Sequence, residues 1–159
     1  MKDYVALAKA LGFSDAALMK TADLIVVPAY RQFCEENLCG NYGVLPACPP
    51  QSGSVEEMTA RMRRFENALV LTMVTTPVCY TDRAEQKAAK RRQNLLTEQL
   101  MDAMRAEGAG ELLMMGAGPW KNASCMSAYC VDAQKMAEHV HMKCWENDGK
   151  VRYFSLILF

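Results

Sequence analysis

The sequence predicts one α/β domain spanning residues 1–159, with a mixed or largely parallel β-sheet, flanking helices and a Cys/Gly/Pro-rich loop. Three observations predict it. Short apolar runs recur at residues 24–27, 68–75, 111–115 and 151–159, the first two rich in β-branched residues. A long helix-patterned stretch lies between the second and third runs, and a shorter one precedes the last. Strand, helix, strand, helix, strand is a βαβ-like order, which favours parallel neighbours.

Taken in order, residues 2–11 form a short helix with Tyr4, Leu7, Ala8 and Leu11 on one side. Ser14 caps a second short helix through Lys20. Leu24 to Val27, ended by Pro28, is a buried strand. A cysteine-bearing segment rich in Gly and Pro follows as a loop. Ser54 and Glu57 have capping-box spacing, so a helix begins there, with Val55, Met58, Met62 and Phe65 as its buried stripe. Ala68 to Thr75 is a strand. Asp82 to Glu107 is a helix of roughly 39 Å, with Leu96, Leu100 and Met104 repeating every four residues and Gly108 past its end. Glu111 to Met115 is a strand running into Gly116-Ala117-Gly118-Pro119. Asp132 to Val140 is helical, and Val151 to Phe159 is a final buried strand.

Composition sets outer limits. With 51% hydrophobic and 23% charged residues, the chain is globular, and at 159 residues it buries a core without staples. Lys plus Arg equals Asp plus Glu, 18 each, which argues against nucleic acid or an anionic membrane as partner. No run reaches the ~20 apolar residues that span a bilayer. Residues Met1 to Gly12 carry Lys2, Asp3 and Lys9 and do not resemble a secretory signal. The expected location is cytoplasmic. Seven cysteines, an odd number, in a reducing compartment point to metal ligands or redox groups instead of disulfides.

The chemistry concentrates between Cys34 and Cys48. Cys34, Cys39 and Cys48 fall within fifteen residues, interleaved with Gly40 and Gly43 and closed by Pro49 and Pro50. A thiolate cage needs sharp turns that bring sulfurs together. Glycine permits positive φ there and lets backbone N–H groups approach sulfur. The spacing matches neither zinc fingers with paired two-residue gaps nor the common ferredoxin runs. Three local cysteines leave a four-ligand site one short, so the fourth ligand comes from elsewhere or the position stays open. The bland alternative is three reduced thiols that simply pack.

Tyr30-Arg31-Gln32-Phe33-Cys34-Glu35-Glu36-Asn37, Cys39-Gly40-Asn41-Tyr42-Gly43 and Cys48-Pro49-Pro50 together resemble the uncharacterised family of predicted metal-binding proteins called domain of unknown function 2284. The likeness resumes at Gly116-Ala117-Gly118-Pro119 and Ser127-Ala128-Tyr129. The resemblance implies metal ligation by Cys34, Cys39 and Cys48, with Gly40, Tyr42 and Gly43 beside the centre. The second cysteine-rich stretch expected after the Gly-x-Gly-Pro turn is shortened here, and Trp120 stands where a cysteine is expected. Cys125 survives near that turn and is the candidate fourth ligand. Cys130 is the weaker candidate, at a position where the family favours glycine.

Sulfur-only ligation favours an iron–sulfur cluster or zinc. A redox protein partner follows from a cluster, and a second copy of the chain is the partner an exposed sheet edge would take. Two other readings compete: a metal-free degenerate member acting as an interaction module, and a thiol-dependent enzyme with Arg31 near its nucleophile. No catalytic signature is recognised. The Gly116-x-Gly118 turn lacks the third glycine of a dinucleotide site. His139, His141 and Cys144 read as surface or packed residues, Cys79 as a packed thiol, and Glu35 and Glu36 as a solvated face. Lys87, Lys90, Arg91 and Arg92 read as a soluble helix surface, and the methionines as core filler.

Overall fold

The computed structural model describes residues 2–159. Its elements are α1 (Tyr4–Leu11), β1 (Asp15–Lys20), α2 (Arg31–Glu35), α3 (Val55–Arg63), β2 (Asn67–Thr75), α4 (Arg83–Ala106), β3 (Leu113–Met115), α5 (Ala133–His139) and β4 (Val151–Leu158). The strands form one sheet in the order β1-β2-β4-β3, and every neighbouring pair is antiparallel. This corrects the mixed or largely parallel sheet expected from element order. β2, α4 and β3 do form a strand–helix–strand unit. β4 inserts between its two strands, pairing Ala68 to Thr75 of β2 on one side and Leu113 to Met115 on the other. The two strands that α4 connects are therefore never adjacent.

Helices cover both faces. Ala68, Val70, Phe154, Leu156 and Leu158 pack against Met58 and Met62 of α3 and Met136 of α5. Leu69, Leu71 and Ile157 point the other way, onto Tyr4 and Ala8 of α1 and Leu100, Met101 and Met104 of α4. β2 alternates between these two cores, as strand geometry requires. On the α4 side, buried Ser155 accepts a hydrogen bond from Gln93 Nε2 at 2.8 Å and shares another with the Thr97 hydroxyl at 2.7 Å. Paired polar groups are the form in which such groups tolerate burial.

The capping box is present: Ser54 Oγ accepts from the Glu57 N–H, and the Glu57 carboxylate accepts from the Ser54 N–H. Met58, Met62 and Phe65 are buried, whereas Val55 is half-buried. α4 begins at its Asp82 cap and buries Leu100 and Met104, with Leu96 partly covered. In α1, Tyr4 and Ala8 are buried but Leu11 is exposed.

Two predicted elements are overturned. Residues 15–20 form β1, not a helix, because their backbone pairs with β2 from Asp15↔Thr72 to Lys20↔Asn67. Ser14 does not cap a helix; its hydroxyl accepts from the Val74 N–H at 2.9 Å and fixes this register. Tertiary pairing outweighs the helix preference of Ala, Leu, Met and Lys. Residues 24–27 are no strand of the sheet, and only an isolated Val26↔Val131 bridge forms there. Leu24 is buried, but its carbonyl accepts from Arg63 Nη2 at 2.7 Å instead of from a neighbouring strand.

Candidate functional site

α2 carries Cys34 near its end, so the predicted loop opens on one helical turn. Beyond it the chain folds back on itself. The Asn37 side chain accepts from the Tyr42 N–H at 2.9 Å, and the Asn37 carbonyl accepts from the Gly40 N–H at 3.1 Å. The Gly43 N–H donates to the Pro49 carbonyl at 2.8 Å, and Gln51 Nε2 donates to the Gly43 carbonyl at 2.8 Å. Gly40 and Gly43 have φ of 78° and 72°, the left-handed region that favours glycine. Their N–H groups already have carbonyl partners, so what these glycines supply is the turn. Tyr42 is half-buried, Cys39 lies exposed at the tip, and Cys48 is buried at the base.

The second segment starts where β3 ends. Asn94 of α4 pins the Gly116–Gly118 turn: its Nδ2 donates to the Ala117 carbonyl at 3.0 Å, and its Oδ1 accepts from the Ala117 N–H at 2.8 Å. Gly116 then bridges in parallel to Cys125, which is half-buried. Trp120 has taken up a different job from a ligand. Its indole N–H donates to Glu98 at 2.6 Å, and Arg91 and Lys121 sit over its ring at 5.6 and 5.5 Å. Cys130 is buried with φ 58°, a conformation that glycine adopts freely, and its carbonyl accepts from the Val27 N–H at 2.8 Å.

Electrostatics tie the two segments together. Burial, and next the neighbouring Cys125 thiol, push Cys34 up to about 11, against the lowering pull of the Arg31 guanidinium. Burial also raises Cys48, with Cys125 and then Cys39 adding to it. Burial raises Cys130, which Arg31 opposes and Cys125 reinforces. The thiols of Cys34, Cys39, Cys48, Cys125 and Cys130 are thus one electrostatic neighbourhood drawn from both segments. Among the described residues, no three His, Cys, Asp or Glu side chains stand close enough to hold a metal ion as placed. All seven cysteines are free thiols.

The remaining candidates lie apart. His139 faces Asp23 at 3.7 Å on the surface, His141 is exposed, and Cys144 is buried in the α3/α5 core, its thiol pushed up to about 11 mainly by burial. Glu35 and Glu36 are exposed. Cys79 departs from expectation: it is exposed, not packed, with its sulfur 3.3 Å from the Thr81 hydroxyl. Asn94 was invisible to sequence reasoning, because a buried Asn inside a long helix carries no local signature. No helix among the described residues is long and apolar enough to cross a membrane.

This is an antiparallel α/β domain that collects cysteines from two distant segments on the α3/α5 side of its sheet. The chain belongs to the family described as predicted metal-binding protein (DUF2284), whose pattern it matches over residues 17–122. That span includes Cys34, Cys39 and Cys48 and stops short of Cys125 and Cys130. No curated protein and no solved structure matches the chain.

Proposed function

We propose that this protein holds a zinc ion or an iron–sulfur cluster through the thiolates of Cys34, Cys39, Cys48 and Cys125. The observation that carries the reading is electrostatic. Cys34 and Cys48 both have Cys125 as their leading thiol neighbour, although it comes from the opposite end of the β2–α4–β3 unit. The donor set fits such a group, because softer sulfur ligands select zinc and iron–sulfur clusters over magnesium or calcium. Binding draws the four sulfurs closer, and Cys39, exposed on a turn whose Gly40 and Gly43 touch nothing at their Cβ positions, has room to move inward. Gly40, Tyr42 and Gly43 shape that turn beside the centre.

A cluster would supply one-electron chemistry and call for a redox protein as partner; zinc would supply structural cross-linking. Either requires reduced thiols, which the cytoplasm maintains. The test is anaerobic purification with metal analysis by mass spectrometry beside the visible spectrum. Broad sulfur-to-iron absorption with iron and sulfide identifies a cluster, and stoichiometric zinc without colour identifies a structural site. Neither metal nor colour after reconstitution with iron and sulfide overturns the reading, as does unchanged metal content in Cys39→Ser.

A further inference from the structure

Arg31 brings a positive charge into the cysteine neighbourhood and meets no carboxylate there. Among the described residues it takes part in no ion pair. It opens α2 three residues before Cys34, a spacing that places both side chains on one helix face. Its Nη1 donates to the Gly53 carbonyl at 3.0 Å, just past the Cys48–Pro50 exit of the loop. Its Nη2 donates to the Ala128 carbonyl at 3.1 Å, between Cys125 and Cys130, and touches Met58 Sδ at 3.3 Å. The Nε–H is buried without any protein acceptor.

An arginine withdrawn from solvent ordinarily faces a carboxylate or phosphate, whose charge and fork geometry it matches; Arg31 is half-buried, with its Nε fully enclosed. Here the groups around it that can become anionic are thiols. A divalent ion held by four thiolates keeps net negative charge, and sulfur accepts hydrogen bonds from N–H donors. We infer that Arg31 is the positioning and charge-balancing residue of the thiolate site. It clamps the two cysteine-bearing segments through Gly53 and Ala128 and turns its free Nε–H and its charge toward the sulfurs. The lowering influence of Arg31 on both Cys34 and Cys130 agrees with that orientation.

The inference rests on the thiolate reading above, and the experiment separates the two. The full chain and its R31Q and R31K variants are titrated anaerobically with cobalt(II), following thiolate-to-metal charge-transfer absorption. The melting temperature of each metal-free protein is measured alongside. Loss of an outer partner typically weakens metal binding roughly 10–100-fold, and that range is expected for R31Q. R31K keeps the charge without the fork and should fall between R31Q and wild type. Equal affinity in R31Q and wild type overturns the role of Arg31 while the thiolate site stands. Equal losses in R31Q and R31K overturn the charge-balancing part. A wild-type protein without a thiolate band sinks both readings. Should R31Q fail to fold, R31K decides: a loss as large as that of C39S means the retained charge counts for nothing.

Discussion

Gly116 and Cys125 face each other across a single parallel β-bridge, so the end of β3 sets where the Cys125 thiol stands. A Cβ on residue 116 would lie 2.6 Å from the Gly118 carbonyl oxygen and 3.0 Å from Asn94 Oδ1. Neither neighbour yields cheaply, since one is backbone and the other pins the turn. Gly116→Ala should destabilise by about 1–3 kcal/mol, the usual range for overpacking. It should also lower metal content, measured per folded chain. A variant with a lower melting temperature but full metal occupancy would separate this bridge from the site.

Cys125 and Cys130 are distinguishable by substitution. Cys125→Ser should lose metal, whereas Cys130→Ser should retain it, because its buried side chain lies beside the Pro28 carbonyl, 4.0 Å from the sulfur. Cys130→Gly removes a left-handed strain of about 1 kcal/mol but leaves a small void, so its net effect on melting should be slight. Metal analysis of the serine pair decides the assignment, and the opposite pattern would move the fourth ligand to Cys130.

Thiol reactivity should be uneven. Hydrogen bonds from the Thr81 side chain and backbone lower Cys79 below the usual thiol range, and the residue is exposed. Burial holds Cys34 and Cys144 at about 11. Iodoacetamide at neutral pH should therefore modify Cys79 well before Cys34, Cys130 or Cys144, since the thiolate is the nucleophile. Peptide mapping over a time course reads this directly, and a uniform rate across these four sites would contradict it.

Asp148 grips Arg152 at 2.6 Å at the entry to β4, and that hydrogen bond chiefly holds its carboxyl down at about 2 against an ordinary 3.8. A carboxyl depressed on folding stabilises above its unfolded value, and this contribution fades as pH falls from about 4 to about 2. Asp148→Asn should melt lower than wild type at neutral pH, with the gap closing through that window. Thermal melts at stepped pH test it; a constant gap down to pH 2 would mean the pair adds no acid sensitivity.

Replacing Ser54 by Ala removes the side-chain half of the capping box and should cost about 1 kcal/mol. Chemical denaturation of the variant measures this. α3 also carries Met58 against Arg31, so metal content in the same variant shows how far a loosened helix end reaches.

Elements with their own local signals were legible in the sequence. β1 was illegible because Ala16, Ala17, Leu18 and Met19 suit a helix equally well; only β2, far along the chain, makes them a strand. Strand direction failed for the same reason, since nothing local to β4 records that it slots between β2 and β3. At the site, the spacing of Cys34, Cys39 and Cys48 was visible. The hydrogen bonds from Arg31 to Gly53 and Ala128 depend on tertiary approach, although its three-residue offset from Cys34 was a readable hint.

The insertion of β4 also has a consequence in time. During synthesis the Cys34–Cys48 segment emerges roughly a hundred residues before the strand that completes the sheet, several seconds at ordinary elongation rates. β2 has no partner on its β4 side, and β3 none at all, until residues 151–158 arrive. The bridge that seats Cys125 is anchored only then. Thiols made early thus wait for a scaffold made late, and the two segments that carry them are brought to their folded places only once the final strand has been made.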